Sequence, residues 1–338
     1  MTFFNDYSIM LLVVYLHHSK LIYILYSEVL KMSTAIVLQQ MGVITILVAI
    51  GIYLYKKNVV DDHVSQKLST IVMDICNPAL ILASLLSGNV TASHSDLLKA
   101  LLLGAVFYIG LVILGFIFPY LVKTDKDSHS LFNVMTVYTN VGFIGIPVAR
   151  AILPENAILY VIICNVMYSL LFYTHGITIL SNGKEKMNIK NIFSPGTIMA
   201  VISLIVFWFK ITLPPIIANS ISFIGNATVF LSMTLLGVGI ARSNIMKGIK
   251  NIRIWIYVLV RMILVPVALF IILKALGRDS ITILGLTLMA AMPIGNLPLI
   301  QSEKMGKDTE LLSSAIAIST VVSIATITIL MTVFTHLI

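Results

Sequence analysis

Val137-Tyr-Thr-Asn-Val-Gly-Phe-Ile-Gly-Ile-Pro-Val-Ala-Arg150 lies inside a long apolar segment, yet it holds an asparagine, two glycines and a proline. An uninterrupted spanning helix has no use for that mixture. Gly142, Gly145 and Pro147 weaken or break a helix. In lipid, backbone groups freed by a break must be satisfied inside the protein or in a wet cavity. The stretch therefore reads as a helix opened around a polar site. A second stretch repeats the idea, Ala290-Ala-Met-Pro-Ile-Gly-Asn-Leu-Pro-Leu-Ile-Gln301. Gly142 to Pro147 and Pro293 to Pro298 are the same five-residue step. Paired interruptions in corresponding apolar segments point to the binding site of a transporter.

The rest of the chain agrees with a membrane setting. Of 338 residues, 59% are hydrophobic and 11% charged, against about 25% charged in a soluble domain. Mean hydropathy is +1.02. Apolar runs of about 20 residues recur along almost the whole length, so the spans are helices and not barrel strands. The net charge of +8 reads as topology-setting basic loops, not as a nucleic-acid surface. Cys76 and Cys164 both sit in apolar segments without metal-ligand spacing and read as core residues. No metal cluster, nucleophile elbow or phosphate loop stands out, so neither an enzyme nor a cofactor is expected.

Ten spans are expected near residues 34–55, 66–86, 97–122, 130–151, 156–180, 195–210, 215–241, 254–276, 280–301 and 309–338. Residues 1–31 carry Asn5, Asp6, His17, His18, Lys20 and Glu28 among short apolar pieces. No run there reaches the length of a span. Met32 opens a conventional first segment, so 1–31 reads either as preceding the natural start or as an interfacial extension. Loops after the odd-numbered spans hold fourteen basic residues: Lys56, Lys57, Lys67, Lys123, Lys126, Lys184, Lys186, Lys190, Arg242, Lys247, Lys250, Arg253, Lys304 and Lys307. The opposite side holds seven: Lys20, Lys31, Lys99, Arg150, Lys210, Lys274 and Arg278. The positive-inside rule then puts both termini outside a plasma membrane. Five spans per half is an odd number, so two similar halves, 32–191 and 192–338, form an inverted repeat.

At this point four motifs resemble the auxin efflux carrier family of bacteria and plants, which includes bacterial malate permeases. They are Asn140-Val-Gly-Phe-Ile-Gly-Ile-Pro147, Leu235-Leu-Gly-Val-Gly-Ile-Ala241, Ala290-Ala-Met-Pro-Ile-Gly-Asn296 and Ser319-Thr-Val-Val-Ser-Ile324. The resemblance runs from Met32 to the C-terminus. It implies an all-α integral membrane protein of ten helices in a five-plus-five inverted repeat. Helices four and nine would be broken and would cross at the midplane. It further implies a scaffold of helices 1, 2, 6 and 7 with a mobile bundle of the others, organic anions as substrates, and a homodimer. The chain departs from the family in lacking a proline near Phe230, opposite Pro78.

Candidate site residues each carry a competing structural reading. Asn140 and Asn296 flank the breaks; their amides can donate to a carboxylate, or merely satisfy opened backbone. Pro147, Pro293 and Pro298 stop helices first. Gly142, Gly145 and Gly295 would let a ligand approach the backbone. Asn77 would face the groove. Asp74 is an intramembrane carboxylate, a candidate for proton coupling, or an acid solvated near a helix end. Arg261 would attract an anionic substrate or snorkel to the surface. His175, with Tyr168 and Asn165 on one stripe, would relay a proton or bond neighbouring helices. Together these predict a secondary transporter of a small carboxylate such as malate, or of an auxin-like acid, coupled to membrane potential, a proton or sodium. A membrane receptor that binds without transport is the alternative.

Overall fold

The computed structural model describes residues 35, 38–39, 42–86, 93–183, 193, 195–243, 245–305 and 307–338. Residues 1–31 and most of the linker after Gly183 fall outside that set. The described residues are helical, with no strand beyond one isolated antiparallel bridge. In chain order the helices are α1 (Gly42–Lys56), α2 (Asp62–Ile71), α3 (Asn77–Leu86), α4 (His94–Leu121), α5 (His129–Val137), α6 (Val141–Ile152) and α7 (Glu155–Leu180). There follow α8 (Pro195–Trp208), α9 (Pro215–Arg242), α10 (Ile245–Lys250), α11 (Ile252–Ala275), α12 (Ser280–Ala290), α13 (Leu297–Lys304) and α14 (Glu310–Leu337). Five of them, α4, α7, α9, α11 and α14, are long and apolar enough to cross a membrane.

Polarity runs opposite to that of a water-soluble bundle. α4 exposes Leu98, Leu102, Val106, Ile109, Ile113 and Phe116, a stripe at helical spacing. Meanwhile Asn133, Thr136, Thr282, Thr287, Ser319 and Ser323 are buried. An apolar rim around a hydroxyl-rich interior is stable where the solvent is lipid. α7 and α12 form the centre; Ile158 to Val166 and Thr282 to Ala290 are buried without interruption.

Four helical stretches widen into π-turns, at Val72–Cys76, Val141–Gly145, Phe172–Gly176 and Val258–Leu264. Three of them end two residues before a proline, namely Pro78, Pro147 and Pro266. The cause is local. Proline offers no N–H, and its ring pushes against the carbonyl four residues back. A widened turn takes that carbonyl out of the way. The residue-by-residue hydropathy of these stretches is that of plain helices, so the spans near 66–86 and 254–276 gave no sign of widening.

Helices α1 and α9 touch through their backbones. A Cβ at Gly51 would lie 2.0 Å from the Thr234 carbonyl oxygen, and one at Gly237 would lie 2.0 Å from that of Val48. Small residues at such a seam let the backbones approach and pack. Gly237→Ala is therefore expected to cost about 1–3 kcal/mol, the range for overpacking. The measurement is the thermal unfolding midpoint in detergent; a midpoint equal to wild type would contradict the contact.

Candidate functional site

The helix that begins at His129 stops at Val137. Tyr138 (φ −104°, ψ 82°) and Asn140 (φ −81°, ψ 61°) leave helical space, and the chain re-enters it at Val141. Asn140 drives the re-entry. Its Oδ1 accepts from the backbone N–H of Phe143 at 3.1 Å and of Ile144 at 3.3 Å. Two donors on one atom identify that atom as oxygen, so Nδ2 is the other end of the amide. Nδ2 is buried and has no partner in the protein. Pro147 leaves the Phe143 carbonyl without its usual helical donor; Ser232 of α9 supplies one through Oγ at 3.3 Å.

The second break starts after Ala290. Met292 to Gly295 lie outside any helix, and Ile294 pairs with Thr139 in an antiparallel bridge. The two breaks thus satisfy each other. Asn140 N–H donates to the Pro293 carbonyl at 2.7 Å, and Gly295 N–H donates to that of Tyr138 at 3.0 Å. Ile294 N–H donates to Ser319 Oγ at 3.3 Å. Approach is so close at Gly295 that a Cβ there would meet the Tyr138 and Thr139 carbonyl oxygens at 3.0 and 3.1 Å. Pro298 then occupies the first turn of α13, where its missing N–H costs nothing.

Both helices entering the breaks end at a single arginine. Arg261 Nε donates to the Thr136 carbonyl at 2.7 Å, and Nη1 donates to that of Ala290. Tyr257, one turn earlier on α11, donates to the Met135 carbonyl at 2.8 Å. Helix C-termini carry partial negative charge and uncapped carbonyls. Arg261 meets both needs, and it is completely buried. It is neither at the surface nor in the cavity described next.

A cavity of about 110 Å³ adjoins the breaks. Its wall takes Thr139, Asn140, Gly142 and Phe143 from the first break, and Gly295, Asn296 and Leu297 from the second. The α2–α3 turn adds Met73, Asp74 and Asn77; α7 adds Asn165, Tyr168, Ser169 and Tyr173; α8 adds Pro195 and Gly196. Asp74 is the one charged side chain in this wall among the described residues. The N-terminal turns of α6 and α13 both reach it. Asn77 Oδ1 is buried with no protein partner.

Of the residues singled out in the sequence, Asn140, Gly142, Gly295, Asn296, Asn77 and Asp74 come together in this wall. Gly145, Pro147, Pro293, Arg261 and His175 do not line it. Gly145 packs towards Met289. His175 Nδ1 lies 2.8 Å from the Tyr138 hydroxyl, which also donates to the Leu171 carbonyl at 2.9 Å. His175 therefore reaches the break only through Tyr138. Sequence reading passed over Ser232, Tyr257 and Tyr138. Tyr257 had a weak signal, its i, i+4 relation to Arg261.

Apolar helices facing outward and a polar cavity at two interrupted helices define an integral membrane transport protein. A family model described as "Membrane transport protein" matches residues 36–190 and 179–331. The chain belongs to that family, the auxin efflux carrier family. It is also similar to an uncharacterised transporter of Methanocaldococcus jannaschii, with 26% identity over 299 residues, 84% of this chain and 94% of the relative. The family's activity is transport of small molecules, not catalysis.

The arginine clamp gives a test. Arg261→Lys keeps the charge but loses the planar fork that serves two carbonyls. It is expected to lose about 3 kcal/mol, the value of one or two charged hydrogen bonds. The readout is the thermal midpoint of the purified protein; equality with wild type would remove Arg261 from the capping role.

Proposed function

We propose that the chain is a secondary transporter of a small organic anion, a carboxylate such as malate or an auxin-like acid, bound where the two breaks meet. In this reading ten spans form two five-helix inverted repeats, 32–191 and 192–338. The fourth and ninth spans cross at the midplane, and the crossing is exposed alternately to each side of a plasma membrane, with both termini outside. The observation that carries the reading is the Asn140 amide. Its oxygen is committed to the helix cap, so only N–H donors are left for a ligand beside the cavity.

The backbone dipoles favour an anion, against the negative charge that Asp74 brings to the same wall. The N-termini of α6 and α13 contribute partial positive charge where their first residues line the wall. The opposing C-termini are neutralised by Arg261. Asn77, Gly142, Gly295 and Asn296 complete the contact set, while Gly145, Pro147 and Pro293 shape the breaks. An anion leaves a negative-inside cell with about 2.3 kcal/mol per charge per 100 mV. Asp74, and His175 through Tyr138, are the groups through which a proton or sodium would couple.

Two substitutions separate binding from folding. Asn140→Asp keeps the capping oxygen and replaces the donor with negative charge. Malate counterflow in proteoliposomes is expected to vanish while the unfolding midpoint stays near wild type; undiminished counterflow would exclude this amide from the site. Gly142→Ala adds a Cβ at ordinary contact distance, 3.6 Å from Asn165 Oδ1 and 3.7 Å from Asn77 Nδ2. It folds normally and narrows the cavity, so KM for malate rises severalfold. A KM unchanged in a well-folded Gly142→Ala protein would place the solute elsewhere.

A further inference from the structure

A cavity of about 510 Å³, larger than the one at the breaks, lies where α4 ends, α5 begins and α7 ends. Its wall falls into two levels. Gly115 of α4, Asn133 of α5 and Thr178 of α7 form the inner level; Tyr120, His129 and Asn182 form the rim. Phe116 and Tyr120 are 51% and 71% exposed. They continue the apolar stripe of α4, so the cavity borders lipid along its side. The 28 residues of α4 extend about 42 Å, close to the thickness of a bilayer with its headgroups. Gly115 lies six residues before the last residue of α4, about 9 Å in. That is roughly the depth at which headgroups give way to acyl chains.

Asn133 stands out at that depth. It is 3% exposed, and its Oδ1 is buried without a partner. No group among the described residues bonds its Nδ2 either, so the amide can turn either end to the cavity. Gly115 makes the room: a Cβ there would stand 3.3 Å from Asn133 Cγ and Nδ2. A buried amide without partners is destabilising, and an ester carbonyl from the bilayer would satisfy it. The rim has a different character. His129 Nε2 donates to the Thr124 carbonyl at 3.1 Å, which leaves Nδ1 of the neutral ring as a bare acceptor. The same ring lies edge-on to Tyr120 at 5.0 Å. Among the described residues no Asp, Glu, Lys or Arg lines the cavity. The turn beyond the rim, Lys123-Thr-Asp-Lys-Asp127, carries two charges of each sign. A neutral wall with an acceptor at its mouth suits a zwitterion that bears N–H donors, not an anion.

We propose that this cavity seats one membrane phospholipid of the ethanolamine type. An ester carbonyl of the lipid accepts from the Asn133 amide, its ammonium donates to His129 Nδ1, and its acyl chains leave past Phe116 into the bilayer. The site does not depend on which solute the protein carries. Native mass spectrometry of the full chain in an equimolar mixture of phosphatidylethanolamine, phosphatidylcholine and phosphatidylglycerol tests it. One ethanolamine lipid is expected to survive the activation that strips the rest. Its preference over choline should be roughly tenfold, the scale of one charge-assisted hydrogen bond. Asn133→Leu removes the orphaned amide, so its unfolding midpoint should be no lower than that of wild type while the retained lipid is lost. Ser130→Trp fills the same cavity from a half-buried position and should lose the lipid too, which decides the question if Asn133→Leu folds poorly. His129→Phe should keep a lipid but bring ethanolamine and choline to equality. No lipid retained by the wild type, or retention undiminished in a folded Asn133→Leu or Ser130→Trp protein, overturns the site. A wild-type preference for phosphatidylglycerol, or equal retention of ethanolamine and choline lipids, overturns the headgroup assignment.

Discussion

Two hydrogen bonds, Asn140 N–H to the Pro293 carbonyl and Gly295 N–H to that of Tyr138, set the conditions for everything else. A helix can be interrupted in an apolar interior only if the exposed backbone groups find partners. Here each break is the other's partner. Neither can be repaired, moved or removed alone without orphaning donors and acceptors on the opposite strand, and an orphaned buried polar group costs about 1–3 kcal/mol. The surrounding bundle completes the set: Ser319 for Ile294, Ser232 for Phe143, Tyr257 for Met135, and Arg261 for Thr136 and Ala290.

That arrangement sorts backbone charge by direction. Carbonyl ends of α5 and α12 are gathered on one buried cation. The first turns of α6 and α13 border the cavity, with the Phe143 and Ile144 N–H groups capped by Asn140 Oδ1. The cavity wall is thereby built from neutral amides, hydroxyls and backbone at the two breaks, with Asp74 its one charged side chain among the described residues.

Much of this was legible in the sequence. Glycine, proline and asparagine inside an apolar run are anomalies that only a break explains, so Asn140, Gly142, Gly295 and Asn296 could be chosen before any coordinates. Helix limits followed from hydropathy; the span expected at 215–241 is the helix Pro215–Arg242. What could not be read were partners distant along the chain. Thr139 meets Ile294, and Arg261 meets Thr136, across stretches that leave no periodic trace. Arg261 left two options open in the sequence, substrate attraction and snorkelling, and the structure adds a third, because a buried guanidinium is held by carbonyls whose positions depend on the whole fold.

The widened turns ahead of Pro78, Pro147 and Pro266 have a genealogical meaning. A π-turn is in effect one inserted residue absorbed without breaking the rod. Excising that residue would close the turn back to α geometry and leave the helix beyond it roughly in register, but would return the carbonyl four residues back against the proline ring. Shortening such a segment by one residue therefore trades a widened turn for a steric clash at its proline.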